Sequence, residues 1–377
     1  MSSSLVAAAI DKATPNRLDE MVYHSSSDAR TTMSQALFVH AARDLRLGNA
    51  LVEDPKAHEV RIDLRRGGIC GSDLHYFNNG GFGAITLKEP MILGHEVAGE
   101  IVALGSSVEG LVVGDLVAVS PSRPCRDCTE CLRGFPNHCL NMRFYGSAMP
   151  FPHIQGAFRD TLIADASQCV VANGLSAAQA ATAEPLAVAL HAVSRAGDLM
   201  GKRVLVTGCG PIGALVILAA RRAGAAEIIA TDIAGPVLEI AKAVGANIML
   251  NTAENPDALA PYAQGKGALD VLFECSGAQA ALAGGIAALR PRGQVVQLGL
   301  SGDMTLPMMQ ITAKELSIKG SFRFHDAFPL AVKMMQQGLI EIAPLLTHSF
   351  PLAEFEEAFA VANDRSKAMK VQLVFGQ

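Results

Sequence analysis

Four cysteines, Cys125, Cys128, Cys131 and Cys139, stand in the pattern C-x2-C-x2-C-x7-C, in a segment punctuated by Pro121, Pro124, Gly134 and Pro136. Thiolates so closely spaced in a loop can close around a tetrahedral Zn2+ and leave no coordination position open, which is structural rather than catalytic chemistry. An iron–sulfur cluster also takes four thiolates, and redox thiols share the composition, so both stand as alternatives. A second set is dispersed: Cys70 in Gly-Gly-Ile-Cys-Gly-Ser-Asp-Leu-His-Tyr (67–76), His95 and Glu96 after Gly94, and Glu184 between Ala183 and Pro185. A catalytic zinc takes about three protein ligands and keeps one position for water or substrate. Cys70, His95 and one of the two glutamates would supply them. Sequence distance alone does not join these residues, and a buried cysteine with a hydrogen-bonded histidine is the plainer reading.

The third constellation spans Arg203 to Asp232. An apolar run (Val204, Leu205, Val206) leads into Gly208, Gly210 and Gly213, which form G-x-G-x-x-G, then an apolar helix-like stretch from Ala214 to Ala223, a second apolar pair (Ile228, Ile229) and Asp232. Alone the glycine pattern says little; with strand, turn, helix, strand and acid in order it reads as a dinucleotide site. Gly208 permits the tight turn, Gly210 clears space for a pyrophosphate, and Gly213 lets helix and strand pack closely. Pro211 and Ile212 open a helix whose free N–H groups would face the phosphates. Asp232 lies 19 residues beyond Gly213, where an acid hydrogen-bonds a ribose 2′-hydroxyl. A carboxylate there repels a 2′-phosphate, and Ile233 to Val237 contain no Arg or Lys, so NAD is favoured over NADP. The bland alternative is a structural glycine turn with a solvated aspartate.

The elements that position these residues divide the chain. Residues 1–32 are Ser-rich without a sustained period and read as a loose, disordered extension. From Met33 short apolar runs recur (Ala36 to Val39, alternating Val60, Ile62 and Leu64, Val97 to Val102, Leu111 to Val113, Leu116 to Val119), broken by Gly105, Gly110 and Gly114, which predicts a compact β-rich unit. Ser176 and Gln179 form a capping box opening a long Ala/Leu/Val helix that bridges to a second unit. Beyond Asp232 helix and strand patterns alternate through Leu298, which predicts an α/β fold with a doubly wound parallel sheet. After Gly320 two helix-like pieces (Phe328 to Gln337, Leu352 to Ala362) precede a strand at Val371 to Phe375, expected to return to the first unit.

At 377 residues with 50% hydrophobic content the chain can bury two cores. A net charge of -5 with no basic block gives no support for nucleic-acid binding. No apolar run is long enough to span a membrane, and the Leu5 to Ile10 run lacks the features of a signal peptide. Eight cysteines in a chain of this kind read as reduced thiols, and a cytoplasmic enzyme is the expectation.

From Met33 to its end the chain resembles the zinc-dependent medium-chain alcohol/polyol dehydrogenases, with the Gly-His-Glu, the four-cysteine lobe and the nucleotide turn in the family order. The resemblance implies a GroES-like catalytic domain over 33–185, completed by 324–377, and a Rossmann domain over 186–323. It implies two Zn2+ per chain, with Cys70, His95 and Glu96 as catalytic ligands and Glu184 at a position where alcohol dehydrogenases carry a second cysteine. A carboxylate there resembles the sorbitol dehydrogenase branch; which glutamate touches the metal stays open. It implies Ser72 and His75 as a proton relay, Tyr76, Phe144 and Arg323 beside substrate, and Leu298, Gly299, Leu300, Ser321 and Phe322 beside the coenzyme.

Segments 141–153, 307–309, 320–324 and 370–375 resemble the L-idonate-oxidising branch. The expected substrate is therefore a sugar acid, whose carboxylate an arginine fork would recognise; Arg143 and Arg323 are the candidates. A neutral polyol is the alternative substrate, and a non-catalytic nucleotide-binding sensor the alternative outside the enzyme class. A homodimer or homotetramer is expected.

Overall fold

In the computed structural model of the chain, residues 32–300, 302–324 and 326–376 are described. The expectation of a loose extension falls outside these, except for Thr32, which opens the strand Thr32–Ala41.

The first sheet has the order Cys169–Val171, Leu116–Val119, Glu96–Leu104, Glu59–Gly68, Lys370–Val374, Leu346–Pro351, with Thr161–Asp165 also paired to Glu59–Gly68. Alternation explains it: Val60, Ile62 and Leu64 are wholly buried on one face of their strand, as period-2 patterning requires. The C-terminal strand enters this sheet, with Gln372 opposite Gly68 and Leu373 opposite Gly67. The run Leu111 to Val113 makes no strand; Val112 and Val113 are exposed in a turn that Asp115 holds by accepting the Val112 N–H at 2.9 Å.

The second sheet has six parallel strands in the order Ile248–Asn251, Glu227–Asp232, Arg203–Thr207, Leu269–Glu274, Leu289–Gln297, Ser317–Gly320. Counted along the chain that order is 3-2-1-4-5-6, and its crevice opens at the carboxyl ends of the two strands where the winding reverses, Arg203–Thr207 and Leu269–Glu274. Both strands are buried on both faces, hence their continuous apolar runs.

The Ser176 capping box forms as the spacing predicts, with the Gln179 N–H donating to Ser176 Oγ at 3.2 Å and Ser176 N–H donating to Gln179 Oε1 at 3.0 Å. The helix it opens is not continuous. Ala177–Ala181 ends at Thr182, whose hydroxyl donates to the Ala178 carbonyl at 3.0 Å, and a new helix runs Ala183–Ala196. Pro185 falls in the first turn of that second helix, where its missing N–H leaves nothing unpaired. The second helix packs its buried Leu186, Ala187 and Ala189 against Pro211–Arg222 and Ala327–Gln336. Among the described residues no helix is long and apolar enough to cross a membrane.

At the glycine turn, Gly208 has φ 78, and a Cβ there would lie 2.6 Å from Ser276 Cα. A Cβ at Gly210 would meet nothing, so the turn presents open space there; a Cβ at Gly213 would strike the Gly208 carbonyl oxygen. Gly213→Ala is therefore expected to push the helix from its strand and destabilise the chain by about 1–3 kcal/mol, read by urea unfolding, together with weaker NADH binding by fluorescence titration. Unchanged stability and binding would contradict the packing argument.

Candidate active site

Cys70 caps the helix Gly71–Asn79, and His95 with Glu96 begins the strand Glu96–Leu104. Asp73 ties the two segments: its buried carboxylate accepts the Cys70 N–H at 2.9 Å and the Gly94 N–H at 3.1 Å. Gly94 has φ 91, with Phe158 packed where a Cβ would stand. Glu96 lies opposite Gly68 in the sheet, and a side chain at Gly68 would collide with the Glu96 carboxylate. Cys70, His95 and Glu96 thereby bring one ligand atom each within 4.8 Å of one another.

The electrostatics of this group are those of a cation site. Among the described residues His95 Nδ1 has no hydrogen-bond partner; it is buried, 3.7 Å from Asp73 Oδ1. Burial alone would lower the pKa of this imidazole, yet Asp73, Cys70 and Glu184 together raise it to about 10. Glu184, in the first turn of Ala183–Ala196, is pushed up to about 7 by burial and the nearby Glu96, against the pull of His95, Lys370 and Arg323. Thiol, imidazole and carboxylates crowded in a dry place are a donor set that fits Zn2+ with mixed S, N and O ligands.

Both Glu96 oxygens accept from Lys370 Nζ, at 2.9 and 2.7 Å, and the ammonium also donates to the Ile69 carbonyl at 3.3 Å. Lys370 is 2% exposed and Glu96 1%. Burial would lower the Lys370 pKa, but Glu96, Cys70 and Glu184 raise it. Glu184 is outside the mutual 4.8 Å group, so the structure favours neither glutamate alone: one is close but salt-bridged, the other more distant. Sequence reasoning gave neither Asp73 nor Lys370 a role. A lysine flanked by the apolar run Val371, Leu373, Val374 was the available signal, since a charge in a buried strand needs a partner.

Arg323, at φ 53, lays its guanidinium 4.2 Å from the Phe144 ring centre and 5.0 Å from that of Phe322. Phe144 in turn meets the His95 ring at 5.5 Å. Burial lowers the Arg323 pKa, opposed by Glu184 and Tyr76. Tyr76 is buried, and its hydroxyl accepts the Ala148 N–H at 3.0 Å. Tyr76, Phe144 and Arg323 thus converge on the metal-like cluster. Arg143 does not. In the two-residue strand Arg143–Phe144 successive side chains point oppositely, and Arg143 is exposed on a different cleft beside Arg123 and Tyr145.

Ser72 and His75 lie three residues apart, on one face of Gly71–Asn79. Ser72 is half-buried, whereas His75 is exposed, stacked on Phe82 at 5.4 Å, and lines a cleft of ≈ 990 Å³ with Gly299, Leu300 and Met304. At the end of the strand Glu227–Asp232, Asp232 accepts the Cys209 N–H at 2.7 Å and the Ala234 N–H at 3.0 Å, which braces the glycine turn.

Glu274, missed from sequence, is wholly buried at the end of Leu269–Glu274 and binds the ends of three strands together. Its carboxylate accepts from Thr207 Oγ1 at 3.3 Å, Gln297 Nε2 at 2.6 Å, the Ser276 N–H at 2.9 Å, the Gly277 N–H at 3.0 Å and the Ser276 hydroxyl. Its carbonyl holds the Leu298 and Gly299 N–H groups, each at 2.8 Å. Ser321 N–H donates to the Gln297 carbonyl at 2.9 Å, and Phe322 is tied to the cysteine lobe by Asn137 Nδ2 donating to its carbonyl at 3.1 Å.

In that lobe Cys125, Cys128, Cys131 and Cys139 each place a sulfur within 4.8 Å of the others. Backbone N–H groups of Cys125, Leu140 and Asn141 donate to these sulfurs at 3.2 to 3.4 Å. Such bonds, chiefly from the Cys131 and Leu140 amides, lower Cys128 to about 6, while burial and the neighbouring thiols raise Cys131 to about 12. Four sulfurs this close cannot all ionise without a cation among them.

The Glu96–Lys370 pair yields a direct test. Lys370→Met leaves a buried carboxylate without its counter-charge and is expected to cost about 3–5 kcal/mol, measured by guanidinium unfolding of chelator-treated protein. A loss below about 1 kcal/mol, the range of an exposed pair, would show that the pair is not buried as described.

Residues 56–174 match the alcohol dehydrogenase GroES-like domain and residues 211–337 the zinc-binding dehydrogenase domain. The chain is 43% identical over 316 residues to L-idonate 5-dehydrogenase (NAD(P)(+)) of Escherichia coli K12, covering 83% of this chain and 91% of that protein. It is 36% identical over 329 residues to human sorbitol dehydrogenase, covering 86% and 91%. The crystal structure of the E. coli L-idonate 5-dehydrogenase superposes with a TM-score of 0.88 at 39% identity, covering 93% of this chain and 100% of that one. With a GroES-like unit, a Rossmann-like unit and relatives of this identity over most of its length, the chain belongs to the zinc-dependent medium-chain alcohol dehydrogenases.

Proposed function

We propose that the chain oxidises a secondary alcohol of a sugar acid, L-idonate at C5 to 5-keto-D-gluconate, with NAD, reversibly. The observation that carries the substrate class is Arg323, a half-buried cation laid on Phe144, whose ring meets His95. A guanidinium fork held on a ring is pre-organised for a carboxylate. The relative with the 43% match is named for the same activity.

In this reading the catalytic unit is 33–185 with 324–377, and the coenzyme unit is 186–323. Cys70, His95 and Glu96 or Glu184 hold one Zn2+, and the four lobe cysteines a second. Zn2+ held in the first position would supply Lewis acidity toward the substrate hydroxyl, and NAD would supply a hydride acceptor. Ser72, half-buried, takes that proton at Oγ, and His75, exposed at the cleft mouth, delivers it to solvent. Tyr76 and Phe144 wall the substrate, and Arg323 orients its acid end.

Asp232 binds a ribose hydroxyl and disfavours a 2′-phosphate, so NAD is preferred over NADP. Gly208, Gly210, Pro211, Ile212 and Gly213 face the pyrophosphate, with Leu298, Gly299, Leu300, Ser321 and Phe322 beside the nicotinamide. Ser321 Oγ, buried with no partner among the described residues, supports a polar ligand there. Eight unpaired cysteines fit a reducing, cytoplasmic setting. The edge strand Ser317–Gly320 with its exposed Ile318, and the exposed Met308 and Met309, support assembly as a homodimer or homotetramer.

A neutral polyol is the second reading, favoured by the match to sorbitol dehydrogenase. Steady-state NADH production on L-idonate, sorbitol and xylitol, with NAD and with NADP, separates the readings. Arg323→Ala is expected to lower kcat/KM for L-idonate by roughly 10- to 100-fold, the value of a charge-assisted hydrogen bond, and to affect sorbitol far less. Equal losses on both substrates would refute carboxylate recognition by Arg323.

A further inference from the structure

Arg143 stands apart from the catalytic cluster, and its surroundings have a chemistry of their own. It lines a cleft of ≈ 410 Å³ on the catalytic unit together with Arg123, Arg159 and Tyr145. Arg159 donates through Nε and Nη2 to a single acceptor, the Gly156 carbonyl, at 3.1 and 2.8 Å. A guanidinium carries five N–H donors, so most of its capacity is unspent, and among the described residues no carboxylate pairs with it. Burial lowers its pKa, and the Tyr145 phenol is the one titratable group that opposes this. That phenol is itself committed, donating to Gln168 Oε1 at 3.2 Å.

A second observation is independent of the first. Arg143 and Arg123 are register partners across the antiparallel pair Arg143–Phe144 and Ser122–Arg123. Like charges placed directly opposite repel, unless an anion lies between them. The acids of the cleft do not relieve this fully. Asp165 pairs with Arg123 at 3.0 Å and accepts from Ser167, Glu59 accepts the Lys56 N–H at 3.0 Å, and Glu53 is exposed at the rim. Arg159 and Arg143 remain as cations that no acid among the described residues pairs with. His153 does not join them, since its Nε2 accepts the Lys88 N–H at 2.9 Å and its Nδ1 faces the Pro150 carbonyl at 2.9 Å.

We propose that this cleft binds an oxyanion, a phosphate or carboxylate group, gripped by Arg159 and Arg143 with Arg123, at a site distinct from the substrate and coenzyme positions. Charge-assisted bonds from guanidinium forks suit such a group, and the volume suits a small anionic molecule. The same oxyanion chemistry has two sources: a free anion, or an acidic side chain from a second copy of this chain.

The test is calorimetric titration of the NAD-saturated protein with inorganic phosphate at constant ionic strength. One site is expected, weakened at least roughly tenfold in Arg159→Gln, the loss of a charge-assisted contact, weakened also in Arg143→Gln, and unchanged in Arg323→Gln. Because Arg143 is exposed, its variant decides the matter if Arg159→Gln fails to fold by circular dichroism. Sedimentation across protein concentrations distinguishes the sources. Phosphate binding with no change in assembly assigns a free anion, and phosphate-driven dissociation of copies assigns a partner's carboxylate at the same arginines. Wild-type affinity in Arg143→Gln and any folded Arg159→Gln, or loss of binding in Arg323→Gln, would overturn the proposal.

Discussion

Negative charge buried faster than the protein can neutralise it is the constraint on which the catalytic unit depends. Asp73, Glu96, Glu184 and the half-buried Cys70 thiol surround one imidazole, and the three carboxylates and the imidazole are all buried. Isolated buried charges are too costly to persist unpaired. Lys370 answers Glu96 directly, and Arg323 acts on Glu184 from a greater distance. What remains, a thiol and an imidazole held among carboxylates, is a donor set with the ligand chemistry of zinc. Much of the first sheet can be understood as the scaffold that assembles it. Gly68 makes room for Glu96, Gly94 for Phe158, and the chain's last strand delivers Lys370 across some three hundred residues.

The coenzyme side is organised by a carboxylate of the opposite character. Glu274 is equally buried but saturated with hydrogen bonds from three strand ends. It therefore stiffens the floor of the crevice instead of inviting a cation. Asp232 braces the glycine turn in the same manner, through the Cys209 amide. The two units differ in purpose: one leaves its charge unresolved for a ligand, the other resolves it internally to hold a rigid cradle. Asn137, reaching from the cysteine lobe to the Phe322 carbonyl, links them.

Local features were legible in the sequence, and features that depend on register were not. The four-cysteine lobe and the glycine turn lie within short segments whose geometry follows from spacing, and the α/β alternation exposed the parallel sheet. The Ser176 box was readable, but the break at Thr182 was not anticipated, although Pro185 marks where a new helix must begin. Leu111 to Val113 looked like strand because apolarity was taken as burial, whereas the run turns outward. Phe144 and Arg143 show the limit most clearly. They are adjacent in sequence, yet strand alternation sends one to His95 and the other to a separate cleft. Lys370 could be suspected as a charge in an apolar strand, but only the pairing of Gln372 with Gly68 brings it to Glu96.

The account rests on a cation held by Cys70 and His95, and zinc content measures that most directly. Plasma emission spectrometry on wild type and on a Cys70→Ser/His95→Ala variant, each dialysed against metal-free buffer, should give two zinc ions per chain in the first and one in the second. NADH should still bind the variant. Equal zinc content in the two proteins would place the metal elsewhere and contradict the account.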